Sequence, residues 1–124
     1  MGVNKQRVVV LGASEKPDRY SNQAIRLLLE HGHHVIPVNP VLKSVAGVRV
    51  FPDLDHVEGH VDTLSVYVSP EISSSLTEQI LSFNPGRIIF NPGTENPDLR
   101  KDLNNKGVQT EEACTLVLLR TGQF

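Results

Sequence analysis

The sequence predicts an α/β fold in three layers: one mainly parallel sheet of about five strands with helices on both faces. Three observations lead there. Short β-branched runs alternate with stretches whose apolar residues recur at helical spacing. Each run closes on a turn cluster of Gly, Pro, Ser or Asn. Every connection between successive runs is long enough for a crossover, which parallel strands require.

The elements follow in order. Arg7 to Leu11 is apolar after its first residue and ends at Gly12, the pattern of a strand buried on both faces. After the loop from Ala13 to Tyr20 a helix begins, with Ser21 as its expected N-cap, because a serine hydroxyl accepts from an unpaired amide of the first turn. Tyr20 and Ile25 hold the two positions of a hydrophobic staple. Ile25, Leu28 and Leu29 share a face, and Gly32 supplies the left-handed stop. His34 to Val38 is the second strand, closed by Asn39 and Pro40. The stretch 41–59 is less regular, with a short edge strand at Val48 to Phe51.

Thr63 to Val68 is the third main strand. Ser69, Pro70 and Glu71 then make a helix start: a capping serine, a proline where no amide bond is lost, and an acid near the positive end of the dipole. Ile72, Leu76, Ile80 and Phe83 recur at helical spacing, and Asn84, Pro85 and Gly86 end that helix. Arg87 to Phe90 is the fourth strand, turned by Asn91, Pro92 and Gly93. Asn96, Pro97 and Asp98 start a helix carrying Leu99 and Leu103, stopped by Gly107. Val108 to Thr110 is the fifth strand, and Thr115 to Leu119 a short last helix. This alternation is that of a Rossmann-like sheet. With no repeat, linker or low-complexity tract, residues 1–124 are expected to form one domain.

Composition narrows the function classes. The chain is 39% hydrophobic and 21% charged, with a formal net charge of -2. That balance gives no basic face for nucleic acid or a membrane surface. No apolar run approaches the roughly 20 residues that span a bilayer. Lys5 and Arg7 lead into a strand-like run and not a secretory h-region, and Cys114 is the single cysteine. A cytoplasmic, reducing setting is the expectation.

In an open parallel sheet, ligands bind beyond the carboxyl ends of the strands. The turns there are Gly12 to Ser14, Asn39 with Pro40, Ser69 with Pro70, and Asn91 to Gly93. Sharp turns at a helix N-terminus leave amides available to an anion. A tight strand-to-helix turn is also a plain structural need of such folds, so it is the first and second turns together that favour a ligand. The dinucleotide fingerprint asks for two more glycines and an acid closing the second strand. Here position 14 is serine, position 17 is proline, and the strand closes on Asn39. NAD normally wants that acid, whereas a ribose phosphate would be repelled by it. Asn39, with Lys43 nearby, tolerates such a phosphate.

The residues Val8 to Ser14, Pro17 to Ser21, Gly32 followed by Val35 to Pro40, and Pro92 with Gly93 make the chain resemble the single-domain CoA-binding proteins. These are similar in turn to the N-terminal domain of the succinyl-CoA synthetase alpha subunit. The resemblance implies coenzyme A as the ligand. It implies that Gly12, Ala13, Ser14 and Ser21 hold the pyrophosphate, with Arg19 neutralising it and Lys16 and Tyr20 beside it. It places Pro37, Val38, Asn39 and Pro40 on the adenosine side, with Lys43 at the ribose phosphate. Val68 and Pro70 would border the nucleotide, and Pro92 and Gly93 the pantetheine arm. The chain departs from the family pattern at Phe90-Asn91-Pro92 and from Glu111 to Thr115, where the pantetheine contacts would fall.

Other groups read more plainly. His31, His33 and His34 cluster where a helix C-terminus favours partly protonated histidine, without a carboxylate or cysteine spaced to complete a metal site. The acidic stretch from Asp53 to Asp62 reads as a solvated connection. Ser73, Ser74 and Ser75 read as exposed helix positions, since no nucleophile elbow surrounds them. Cys114 is most simply a small buried hydrophobe; its place after the fifth strand also lets it form a mixed disulfide with the ligand's thiol under oxidation. No nucleophile–base–acid set is present. The expectation is a small-molecule binding module, a carrier, sensor or detached subunit without catalysis. The alternatives are an NAD(P)- or acyl-transfer-linked enzyme component needing a partner chain, and a nucleotide or redox sensor. A homodimer is neither required nor excluded.

Overall fold

The computed structural model describes residues 5–124; residues 1–4, part of the N-terminal stretch weighed above against a secretory signal, lie outside it. Strand β1 spans Arg7–Leu11, helix α1 Tyr20–Glu30 and strand β2 His34–Val38. Two short strands, β3 (Ser44–Val45) and β4 (Val48–Arg49), precede β5 (Thr63–Val66). Helices α2 (Pro70–Ser75) and α3 (Thr77–Phe83), strand β6 (Arg87–Phe90), helix α4 (Pro97–Asn105), strand β7 (Gln109–Glu112) and helix α5 (Thr115–Arg120) complete the chain.

The main sheet has the order β2-β1-β5-β6-β7, and every pairing in it is parallel. Beyond β2, Phe51 makes a parallel bridge to Val38 and donates its amide to the Pro37 carbonyl. A vestigial strand thus lies where the doubly wound dinucleotide fold keeps its outermost one. The expected edge strand over Val48–Phe51 is therefore two things. Its first half pairs antiparallel with β3 through a two-residue turn, in which Ala46 and Gly47 both have positive φ. Such a turn matches the twist of a hairpin. Its second half flanks β2.

Alternation along β1 splits the core. Val9 and Leu11 pack with Leu54, Ile80, Leu99 and Leu103 on the α3–α4 side. Val8 and Val10 pack with Ile25, Leu28 and Leu119 on the α1–α5 side. Val8, Val9 and Val10 are all fully buried, so β1 is the centre of both layers. Burying each valine stabilises the fold by about 1.5–3 kcal/mol.

Helix α1 starts two residues earlier than expected. Arg19 is its N-cap, in extended conformation and with no side-chain capping bond, so Ser21 lies inside the first turn and is buried. Tyr20 is 71% exposed and staples nothing. The C-terminus behaves as read: the Gly32 amide reaches Leu29, the His33 amide reaches Leu28, and Gly32 has φ +83°. The helix from Pro70 is broken at Leu76, which leaves Ile72 half-exposed and out of the core. Ser69 caps it as expected, accepting from the Ile72 amide, and Asn96 caps α4.

Three local readings change. Ser73 is buried, not exposed, because its hydroxyl meets the Asn96 side chain at 2.8 Å. The stretch from Asp53 to Asp62 is solvated as expected at Asp55, His56, Glu58 and His60, but it is also anchored near both ends. Leu54 and Val61 are buried, Asp53 accepts from the His56 amide, and Asp62 accepts from the Arg7 amide at 2.7 Å. His33 is not a partly protonated helix-end cation: it is buried, its Nδ1 accepts from the Gln6 amide, and burial, with Lys5 beside it, lowers its pKa.

Candidate functional site

Strand order reverses between β1 and β5, so the switch point lies at Gly12 and Val68. Two cavities open beside it. One, of about 340 Å³, lies on the α3 side and is lined by Gly12, Val38, Pro40, Val68, Ile72 and Asp53, among others. The other, of about 280 Å³, is lined by Tyr20, Tyr67, Asn91, Pro92, Cys114, Leu116 and Arg120. Tyr67 and Val68 are neighbours facing opposite sides of the chain, one into each cavity. Tyr20, the first residue of α1, lines the second cavity. Tyr20 and Ile72 are two of the four large apolar side chains exposed among the described residues, and each lines one of these cavities. A larger cavity, about 490 Å³, sits at the opposite end, by the first residues of β1 and β2. There Arg7 is bound to the His60 and Glu58 carbonyls and Arg49 stacks on Phe51. Size alone does not make it the ligand site, since parallel sheets bind at the carboxyl ends.

In the loop expected to hold a phosphate, the first two amides are already engaged. The amides of Gly12 and Ala13 both donate to the Val38 carbonyl, at 3.1 and 3.0 Å, and are not available to a ligand. Gly12, at φ +94°, is needed for packing: a Cβ there would lie 2.9 Å from the Val68 side chain. Between Gly12 and Asn22 the amides without an acceptor among the described residues are those of Ser14, Glu15 and Asp18 and the first three of α1, on Tyr20, Ser21 and Asn22. Four unpaired amides at a helix start are usually met by a cap or a ligand. The Ser14 hydroxyl accepts from the Lys16 amide, and Asn22 holds the Ser14 carbonyl at 2.9 Å, which fixes the loop over the helix. Lys16, Arg19 and Lys43 are exposed and make no ion pair among the described residues.

The residues expected on an adenosine side are also redistributed. Val38 and Pro40 line the first cavity, but Pro37 is buried in β2 and points to the other face. Asn39 is a structural tie: its Nδ2 donates to the Ala13 carbonyl, and its Oδ1 accepts from the Val41 and Leu42 amides. Neither Lys43 nor Pro70 lines the cavity. No acid closes β2, but Asp53, two residues after Phe51, lies on the cavity wall. The His56 imidazole bonded to its carboxylate holds its pKa below the usual range.

At the second cavity Asn91 is buried and joins three elements. Its Nδ2 donates to Ser65 Oγ and the Val66 carbonyl, and its Oδ1 accepts from the Thr115 amide. It thereby fixes the entry to α5, and with it Cys114, which is half-buried on the wall. The Tyr67 hydroxyl is buried near Ser65 and Thr115 without a hydrogen bond to either. Burial pushes this phenol up to about 12; the Thr115 and Ser65 hydroxyls pull the other way and the Cys114 thiol adds to the rise. Pro92 lines the cavity; Gly93 lies outside it, exposed, at φ +90° with its amide on Glu95. Sequence reasoning missed Asp53, Ile72, Tyr67, Leu116 and Arg120, which reach the switch point only through the fold. Among the described residues no group of three or more His, Cys, Asp or Glu gathers as for a metal, and no helix is long and apolar enough to cross a membrane.

The order of strands defines an open, doubly wound Rossmann-like domain, and two of its cavities lie beside the switch point. Residues 6–120 match the family model described as CoA binding domain, and the chain belongs to that family. It is 28% identical over 102 residues to the uncharacterized protein YneT of Bacillus subtilis (strain 168), covering 82% of this chain and 76% of the relative. A crystal structure of an uncharacterized protein superimposes with a TM-score of 0.92 at 38% identity, covering 98% of this chain and all of that one. The dinucleotide forming acetyl-coenzyme A synthetase 1 of Ca. Korarchaeum cryptofilum, solved with phosphate and ADP, shares the fold. Its TM-score is 0.74 at 21% identity, over 89% of this chain and 26% of that one.

Proposed function

We propose that this chain binds coenzyme A or an acyl-CoA across the switch point, as a carrier, sensor or detached subunit and without catalysing a reaction of its own. The observation that carries it is the uncapped start of α1, whose Tyr20 lines one of the two cavities beside the switch point, with Lys16 and Arg19 in the loop before it. A pyrophosphate there would take the amides of Ser14, Glu15, Tyr20, Ser21 and Asn22, stabilised by the dipole of an eleven-residue helix. The nucleotide would fill the cavity at Val38, Pro40, Val68 and Ile72, and the pantetheine arm would run toward Tyr20, Pro92 and Cys114. Membership of the CoA binding domain family supports this choice of ligand.

Asp53 favours a second reading. A carboxylate on the nucleotide cavity accepts from ribose hydroxyls and repels a phosphate placed beside it, which is NAD-like recognition. Calorimetric titration of ligand-stripped protein with CoA, dephospho-CoA, NAD and ADP separates the two. CoA binding more tightly than dephospho-CoA and NAD is the expected result. Tightest binding of NAD would move the function to the second reading, and acyl-CoA turnover by the pure chain would contradict a non-catalytic role.

A further inference from the structure

We infer that the second cavity selects CoA thioesters whose short acyl group ends in a carboxylate, with Arg120 as the residue that reads that carboxylate. The inference rests on the proposed binding of CoA at the switch point and names what its thiol end carries.

The cavity has room for about nine water-sized groups at roughly 30 Å³ each, enough for a sulfur end and a short chain. Tyr20, Tyr67, Pro92 and Leu116 give it apolar walls. Its polar groups are nearly all spent. The Asn91 amide is fully engaged with Ser65, Val66 and Thr115. The Tyr67 hydroxyl is buried behind the wall and out of a ligand's reach. Cys114 brings a weak donor. Arg120 is different: its guanidinium has no ion-pair partner among the described residues. Arg120 lies in the last turn of α5, where a cation suits the dipole, and it lines both this cavity and the neighbouring groove of Gln23, Arg26 and Glu30 without an ion pair to Glu30. An apolar slot with one free guanidinium fits a short methylene chain ending in an anion, which the planar fork grips through two parallel bonds. A bare thiol or an alkyl acyl group leaves that fork unused.

Affinities for CoA, valeryl-CoA and glutaryl-CoA, measured by calorimetry on the intact chain, test this. The two acyl groups have equal carbon number and differ in the terminal carboxylate. The expected result is glutaryl-CoA tighter than valeryl-CoA by about five- to tenfold at low salt. In Arg120→Leu the ratio of glutaryl-CoA to valeryl-CoA affinity falls to about one, with glutaryl-CoA losing more than CoA or valeryl-CoA; in Arg120→Lys part of the preference stays. Arg120 is exposed, so both variants should fold, and far-UV circular dichroism checks that they do. Equal binding of the two thioesters by the wild type overturns the inference and leaves CoA binding standing. An Arg120→Leu loss shared by CoA and both thioesters also overturns it, because Arg120 would then be reading a phosphate. If CoA itself does not bind, the underlying function fails first.

Discussion

Truncating Asn91 to alanine should loosen the floor of the thiol-end cavity and destabilise the fold. The side chain is 1% exposed and makes three hydrogen bonds of 2.8–2.9 Å. Its removal does not affect every partner equally. Ser65 Oγ keeps Thr115 Oγ1 at 2.8 Å, and the Val66 carbonyl keeps the longer 3.4 Å bond from the Asn91 backbone amide. The Thr115 amide is left buried with nothing to donate to. One orphaned donor, one weakened acceptor and a small void together cost about 3 kcal/mol. With a urea slope of about 1.5 kcal/mol per M, the unfolding midpoint should fall by about 2 M. Urea titration followed by circular dichroism measures this directly. A shift below about 0.5 M with an unchanged slope would refute the reasoning. It would mean that α5 is held by its apolar contacts alone and that Asn91 does not position Cys114.

Arg19→Ala should weaken CoA binding by about 1–3 kcal/mol, nearer the lower end as salt screens this exposed group; unchanged affinity in a folded variant removes Arg19 from the phosphate site. The Tyr67 phenol is held at about 12, above its ordinary value of 10.0, so the folded state retains its proton longer than the unfolded state. That stability is complete below pH 10 and is lost as pH rises toward 12, by up to about 2–3 kcal/mol. Tyr67→Phe should flatten this alkaline fall in denaturation curves, and an identical fall in the variant would contradict the assignment. CoA disulfide should form a reducible adduct at Cys114, the only cysteine in the chain, with one CoA per protein by intact mass. No adduct would place the thiol end elsewhere.

What the sequence revealed is what local patterns encode. β1 could be read from four apolar residues and a glycine, and the caps at Ser69 and Asn96 from serine or asparagine followed by proline. Ser21 misled because a serine in the first turn looks, in sequence, like one at the cap. Which it becomes depends on Asn22 clamping the Ser14 carbonyl. The amides of Gly12 and Ala13 looked available because their acceptor, the Val38 carbonyl, is about 25 residues away in the chain and arrives only when β2 pairs with β1. Asp53 and Arg120 carried no motif; the sheet edge and the last helix bring them to the switch point. Ser73 is buried because Asn96, on a different helix, reaches it.

The central claim is that a pyrophosphate sits on the uncapped start of α1. Titrating isotopically labelled protein with CoA and following backbone amide resonances tests it most directly. The predicted result is that the largest changes fall on Ser14, Glu15, Tyr20, Ser21 and Asn22, with Tyr67, Val68 and Ile72 next and the amides of Gly12 and Ala13 less affected. Changes centred instead on Arg7, Arg49 and His56, around the cavity at the other end of the sheet, would contradict it.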